Sequence, residues 1–315
     1  MRYLLPLVAL GAFAAVDGTV QNGTTGKPQS GATVTIYQFG AGGPEPIESV
    51  KSDAAGVWKI DKPFNGRGFI QTAFDGVTYN HTLRPGLPLN SIALTVYATS
   101  KVRGKEVSVT NHMMLLEPQG DKLSVRESYF FQNAGNTTWN DSANGTLRFR
   151  VHAEPLGPVE VNATAPQGMP IRRAADKGAT PGEMKVDFPI KPGETRMDLS
   201  YTLPYASPAK LPIQFVLAAQ QRMIAVPRNV ELVGDGLKSE GKEPTTQASI
   251  FKVEKDKLDL TMTGAGELQP EEGSKGPSIE QIKARPYDKL YAILGIAFAI
   301  LAIGGTLLYR SEARK

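Results

Sequence analysis

Cysteine is absent from all 315 residues. Its absence excludes disulfides, thiol nucleophiles, iron–sulfur clusters, covalently attached haem and cysteine-ligated zinc. Any exported domain of this chain must therefore be stable through packing alone. Histidine is scarce: His81, His112 and His152 are the full set. None is spaced with another histidine or with a carboxylate as metal motifs require, so no metal site and no cofactor are expected. There is no G-x-S-x-G nucleophile elbow. Charge of one sign is also missing. The formal net charge is +4, with basic and acidic residues interspersed, and no nucleic-acid footprint appears. Gly236 to Lys242 fits G-x-x-x-x-G-K, but Glu243 stands where a hydroxyl would hold magnesium, and no strand-to-helix pattern surrounds it. The chain reads as a non-enzyme.

Glycine (32) and proline (23) are plentiful, which suits many short strands joined by tight turns. The two ends differ from this body. Residues 1–15, "MRYLLPLVALGAFAA", have the form of a secretory signal: Arg2, an apolar core from Tyr3 to Gly11, and the small-x-small site Ala12-Phe13-Ala14. Leu290 to Tyr309 carries no charge. As a helix rising about 1.5 Å per residue, this run of about 20 residues spans about 30 Å, the thickness of a bilayer core. Tyr291 and Tyr309 fall where interfacial aromatics belong, and Arg310, Arg314 and Lys315 follow in the tail 310–315. Both ends predict a single-pass type I protein of the cytoplasmic (inner) membrane, with the bulk of the chain extracytoplasmic or periplasmic.

Residues 16–99 alternate with period two. In "GATVTIYQF", Ala32, Val34 and Ile36 point one way and Thr33, Thr35 and Tyr37 the other. Trp58 and Ile60, then Ile92, Leu94 and Val96, repeat the pattern between turn signals at Asn22-Gly23, Asp53 to Gly56, Asp75-Gly76 and Pro85-Gly86. The glycine-rich stretch Gly18 to Gly31 leads into β-branched alternation, not a helix. It therefore turns the chain and does not cradle a phosphate.

Gly18-x-Val20, Thr25-Gly26-x-Pro28-x-x-Gly31-Ala32-x-Val34-x-Ile36 and Ser52-Asp53-x-x-Gly56-x-Trp58 resemble the carboxypeptidase regulatory-like domain. Trp58 stands where that family usually has Phe or Tyr. The resemblance covers about 80 residues and implies a transthyretin-like (prealbumin-like) β-sandwich of about seven strands. Such domains serve as accessory modules beside zinc carboxypeptidases, as sugar-binding-like sandwiches and as stalk repeats in cell-envelope proteins. The peptidase catalytic domain itself is missing here.

Residues 100–264 continue the β pattern with longer units, and regular strand spacing predicts a second sandwich, immunoglobulin-like in outline. Leu147, Phe149 and Val151 form one face of a strand, with Arg148 and Arg150 on the other. Met184–Ile190, a Pro192-Gly193 turn and Thr195–Leu203 read as a hairpin, with Met197, Leu199, Tyr201 and Leu203 as its buried stripe. In Asp121–Phe131 the inward residues are Leu123, Val125, Tyr129 and Phe131. Glu127 falls on the same face, as a bulge, a partnered buried carboxylate or, the reading preferred here, a shifted register. Gly234–Gln247 reads as a polar loop. Residues 265–289 read as a polar stalk, with an S-x-x-Q capping box at Ser278–Gln281.

The expected fold class is thus all-β: two sandwiches, a stalk and one transmembrane helix. Two surface features are candidates for binding. Tyr37 and Tyr97, with Thr33, Thr35 and Thr95, fall on outward positions and would form a stacking platform for a polysaccharide. Arg148 and Arg150 would meet an acidic partner. The function this predicts is binding or scaffolding in the cell envelope with a protein partner, as an accessory subunit of a membrane complex; the alternative is a carbohydrate- or cell-wall-binding module. Alkaline carbonate washing is expected to leave the intact chain in the membrane fraction, with a reporter fused after Lys315 active on the cytoplasmic side only. Release by the wash would refute the anchor.

Overall fold

The computed structural model describes residues 15–268 apart from Asn65. All regular structure in that range is strand. Among the described residues no helix is long and apolar enough to cross a membrane. The signal segment up to residue 14, the stalk from residue 269, the capping box, the run 290–309 and the tail lie outside the described residues.

The first eight strands are β1 (Val16–Asn22), β2 (Lys27–Pro28), β3 (Thr33–Gly40), β4 (Gly43–Lys51), β5 (Val57–Ile60), β6 (Gly68–Phe74), β7 (Val77–Leu83) and β8 (Ile92–Val96). They form two sheets. In one, β1 pairs antiparallel with β2 and β5 and parallel with β8. The other runs β4-β3-β6-β7, antiparallel throughout. Val34, Ile36 and Ile70 from this second sheet share a core with Val20, Trp58, Ile60, Leu94 and Val96 from the first. Gly18 lies opposite Ile92 in the parallel pair, where a Cβ would stand 1.9 Å from the Ile92 carbonyl oxygen, so only glycine allows β8 to approach. Gly31 has φ of 74° and turns the chain into β3, a strand, as the alternation predicts.

A short parallel pair, β9 (Thr99–Ser100) with β12 (Thr138–Trp139), joins this part to the rest. The remaining strands are β10 (Val107–Gln119), β11 (Lys122–Asn133), β13 (Leu147–Arg150), β14 (Glu160–Thr164), β15 (Ile171–Ala174), β16 (Asp176–Lys177), β17 (Glu183–Val186), β18 (Gly193–Pro204), β19 (Ala209–Gln214), β20 (Ala219–Val226), β21 (Val230–Val233), β22 (Leu237–Lys242), β23 (Ser249–Val253) and β24 (Lys257–Gly264). Eight of them make one broad sheet, in the order β15-β14-β18-β11-β10-β20-β23-β22, with a parallel pairing between β10 and β20. Two three-stranded sheets, β13-β17-β16 and β19-β24-β21, share a second core with its inner face.

This arrangement differs from the immunoglobulin-like outline, in which seven to nine strands divide between two sheets of similar width. The expected hairpin is also absent. β17 pairs with β13 and β16, whereas β18 pairs with β11 and β14 in the broad sheet. Between them Ile190 bridges to Trp139, and Pro192-Gly193 carries the chain from one sheet to the other. The stripe Met197, Leu199, Tyr201 and Leu203 is buried as predicted. The polar stretch 234–247 contains an edge strand, β22, which pairs with β23.

Glu127 is in register and 2 % exposed, on the core face with Leu123, Val125, Tyr129 and Phe131. The shifted register is therefore wrong, and the partnered buried carboxylate is right. Its Oε2 lies 2.8 Å from His112 Nε2 on β10 and accepts from the Tyr129 hydroxyl at 2.8 Å. Its Oε1 accepts from the Tyr201 hydroxyl on β18 at 2.6 Å. The His112 ring stacks on Tyr129, with centroids 3.9 Å apart, and meets Phe215 edge-on. Burial works to raise the Glu127 pKa. The His112 hydrogen bond and charge, with the two hydroxyls, outweigh it and hold the carboxyl below the ordinary 4.5. Burial also pushes the Tyr129 and Tyr201 hydroxyls well above their ordinary range, and the Glu127 charge adds to the effect.

A carboxyl depressed in the folded state stabilises fully above its unfolded pKa and loses that contribution as pH falls through the folded value. Denaturant midpoints followed by tryptophan fluorescence are therefore expected to fall as pH drops below about 4.5, and Glu127→Gln flattens this part of the dependence. Glu127→Ala leaves His112 and two tyrosine hydroxyls without their acceptor, and is expected to cost roughly 3 kcal/mol or more at neutral pH.

Candidate functional site

β13 ends at Arg150, and the chain runs on through His152 along the floor of a cleft of about 910 Å³. One wall is the turn between β16 and β17, where Pro181-Gly182, with φ of 75° at Gly182, presents Thr180. The other wall is the paired end of β19 and β24, with Gln214 opposite Lys257. Both walls belong to the small sheets over the broad one, so the cleft is the gap between two covering layers. Arg150 Nη2 donates to Thr180 Oγ1 at 2.9 Å, and that hydroxyl donates to Glu183 Oε2 at 2.6 Å. Arg150 Nε and His152 Nε2 are both buried and have no hydrogen-bond partner. Burial pushes the His152 pKa down, and the nearby Glu127 charge opposes this more weakly. Three cations (Arg150, Lys177, Lys257) and three carboxylates (Glu154, Glu183, Asp259) line the cleft, so it offers polar contacts of both signs.

Towards the other end of β13 lies a smaller groove of about 290 Å³, lined by Lys101, Arg103, Trp139, Asp141, Thr146 and Arg148 among others. Its charge is unbalanced, with three cations against one carboxylate. Asp141 is already engaged: Asn144 donates to it from its backbone N–H at 3.1 Å and from its side-chain amide at 3.2 and 3.0 Å. Arg103 Nε donates to the Val107 carbonyl at 3.0 Å, and its guanidinium lies 5.7 Å from the Trp139 ring centroid. Burial lowers the Arg103 pKa. Arg148 Nη1 lies 3.7 Å from Glu183 Oε1. Arg148 and Arg150 thus stand on the outward face of one strand, as the alternation predicts, but they look into different concavities.

The tyrosine–threonine platform does not assemble. Thr33, Thr35 and Tyr37 lie on β3 of one sheet, whereas Thr95 and Tyr97 belong to β8 and its end in the opposed sheet. Because the two inner faces share a core, the outer faces look in opposite directions. Tyr37 stacks on Phe69 at 4.9 Å, and Thr35 Oγ1 lies 2.9 Å from Ser49 Oγ on the neighbouring strand. The Tyr97 ring packs against Gly23, where a Cβ would come within 2.3 Å, and lies 5.9 Å from Tyr79. Thr95 and Tyr97 border a crevice of about 230 Å³ that Lys191 also lines. Tyr79 donates to the Tyr97 carbonyl at 3.0 Å and lies 2.9 Å from Thr138 Oγ1. The Lys191 ammonium donates to the Thr78 carbonyl and sits 5.0 Å from the Tyr79 ring. Burial, with Arg173 nearby, lowers the Lys191 pKa to about 8. Tyr37 and Thr35 thus make contacts within their own sheet, and Tyr79 and Tyr97 make contacts at the junction between the two cores.

Sequence reasoning missed Lys101, Arg103, Trp139 and His152. Lys101-x-Arg103 carried a legible signal, two cations at strand spacing beside a boundary. Nothing in the spacing of His152 distinguished it. Among the described residues no group of three or more His, Asp or Glu is arranged to hold a metal ion.

No family model matches the chain, and no curated protein matches it. Among solved structures it is similar to a mutant two-domain M1 zinc metallopeptidase bound to L-tryptophan, at 11% identity and a TM-score of 0.30, over 51% of this chain and 43% of that one. The M1 zinc metallopeptidase from Deinococcus radiodurans gives 12% identity and a TM-score of 0.28, over 51% and 43%. Its mutant with a Tyr-Ser-Ala substrate gives 11% and 0.29, over 50% and 43%. The chain spans less than half the length of these proteins, and similarity at this level carries no argument about its chemistry.

Proposed function

We propose that this is a membrane-anchored, extracytoplasmic binding and scaffolding protein of the cell envelope, an accessory subunit of a membrane complex. Its location rests on the two termini: an export signal at one end, and at the other a charge-free run of bilayer length followed by Arg310, Arg314 and Lys315. By its motifs the first sandwich is a carboxypeptidase regulatory-like module. The second core carries the binding surface, and the protein works by holding a partner, without chemistry of its own.

The observation that carries the binding reading is the cleft of about 910 Å³ between the two small sheets. It lies within the volume range of ligand sites, its walls are strand ends and tight turns, and polar groups of both signs converge on it. Arg150 and His152 line its floor, and Thr180 and Glu183 hold the Arg150 guanidinium in place through a chain of two hydrogen bonds.

Purification of the full chain from its native membrane in mild detergent is expected to recover a partner protein in stoichiometric amount. Gln214→Trp, at an exposed position on the cleft wall, is expected to reduce that recovery while leaving the thermal transition unchanged. Repeated recovery of the chain alone would overturn the reading.

A further inference from the structure

Among the described residues β13 has a hydrogen-bonded neighbour on one side only, β17. The Val151 N–H donates to the Gly182 carbonyl at 2.8 Å, in the same register as the Arg150–Glu183 and Arg148–Lys185 pairs. Bonded and non-bonded pairs alternate along an antiparallel ladder. Leu147, Phe149 and Val151 therefore exchange bonds with β17, while Arg148 and Arg150 turn their main-chain N–H and C=O groups to the open side. No other backbone group bonds those N–H groups among the described residues. The two residues that present free main-chain groups are thus the two that carry guanidinium groups on the outward face. The strand also contributes to both concavities, through Arg148 to the basic groove and through Arg150 to the cleft.

We propose that the open edge of β13 receives an extended segment of a partner protein, added as a strand, with acidic residues at alternate positions and apolar residues between them. This rests on the binding-protein reading above and names the partner's chemistry. Side chains two residues apart on a strand lie about 6.7 Å apart on one face, so Arg148 and Arg150 meet carboxylates with the same period on the added strand. Arg103 and Lys101 extend the row of cations at one end, where the lining carboxylate Asp141 is already bonded to Asn144. The intervening residues of the added strand face the apolar lining of the seam, which includes Val151, Ile213, Leu217 and Leu258. A free inorganic anion would engage the guanidinium groups alone. An added strand uses the main chain as well, and this separates the two experimentally.

The test uses the full chain in detergent micelles and a fluorescein-labelled peptide with a Glu-Val-Glu-Val-Glu centre, read by fluorescence anisotropy. The peptide is expected to bind, and to weaken about tenfold or more when alternate backbone amides are N-methylated. Comparable weakening is expected when Arg148 and Arg150 are both changed to Glu, with Arg148→Lys, Arg150→Lys largely restoring binding. Equal binding of the N-methylated peptide, of a block peptide with the same composition, or to the double Glu variant would overturn the inference, as would no binding of any peptide. If the peptides fail but detergent purification still recovers a stoichiometric partner, the acidic-strand inference falls and the binding reading stands.

Discussion

Glu127 accepts hydrogen bonds from side chains on three adjacent strands, β10, β11 and β18, and this pins the middle of the broad sheet. A carboxylate buried this deeply is tolerated only when its oxygens are satisfied. A slip of one residue in either flanking strand would move His112 or Tyr201 to the opposite face and leave the charge without a partner. The pairing of β10 with β11 and of β11 with β18 over twelve residues is therefore fixed from inside. In a chain without cysteine, such a network does the register-setting that a cross-link does elsewhere. The same sheet then carries everything above it. Phe215 and Leu217, in the connection from β19 to β20, are held against it by the His112 ring and by Arg222, which donates to the Leu217 carbonyl at 2.8 Å.

Two small sheets, not one wide one, cover the broad sheet. Each closes its part of the core with its own buried stripe: Leu147, Phe149 and Val186 in one, Leu211, Ile213, Leu258 and Leu260 in the other. Where their ends meet, neither supplies a strand to the other, and the gap is the cleft. The cleft is thus a consequence of how the core is covered, positioned by strands whose places are set by apolar burial.

The all-β class and the inward stripes were legible, because period-two alternation with one buried face is a local signal. Ala32, Val34 and Ile36, and likewise Met197, Leu199, Tyr201 and Leu203, are buried as their spacing predicts. What failed was non-local. Glu127 reads as out of place in sequence because two of its three donors stand on other strands, His112 across the hairpin and Tyr201 74 residues away. Pro192-Gly193 looked like a hairpin turn because a switch between sheets uses the same residues as a turn. β22 reads as loop in sequence because an edge strand with intermediate and exposed residues along its whole length has no alternation to show. The platform failed because outward positions on two opposed sheets look alike in sequence and point apart in space. Of the candidate site, the Arg148 and Arg150 pair was visible, whereas the groove that gives Arg148 its neighbours depends on the fold bringing residues 101 and 103 beside it.

Open strand edges are hazards, and this molecule treats them unequally. β4 carries Pro44 and Pro46 along its free edge. On β19, Pro212 occupies a position whose N–H would face outward, because the bonded pairs with β24 fall at the odd residues, in register with Phe215 donating to Asp256. β22 is polar and glycine-bearing. β13 has no proline and, among the described residues, no second strand paired to it, and the arginines at its outward-bonding positions are its protection. Charge repels a second copy of the same edge, since two such strands would bring like charges together across the pair. It does not repel a strand of opposite charge. Proline closes an edge to strand addition, whereas arginine disfavours only partners that are not acidic, and by this criterion β13 resembles the proline-free, arginine-bearing edge β15 more than it resembles β4 or β19.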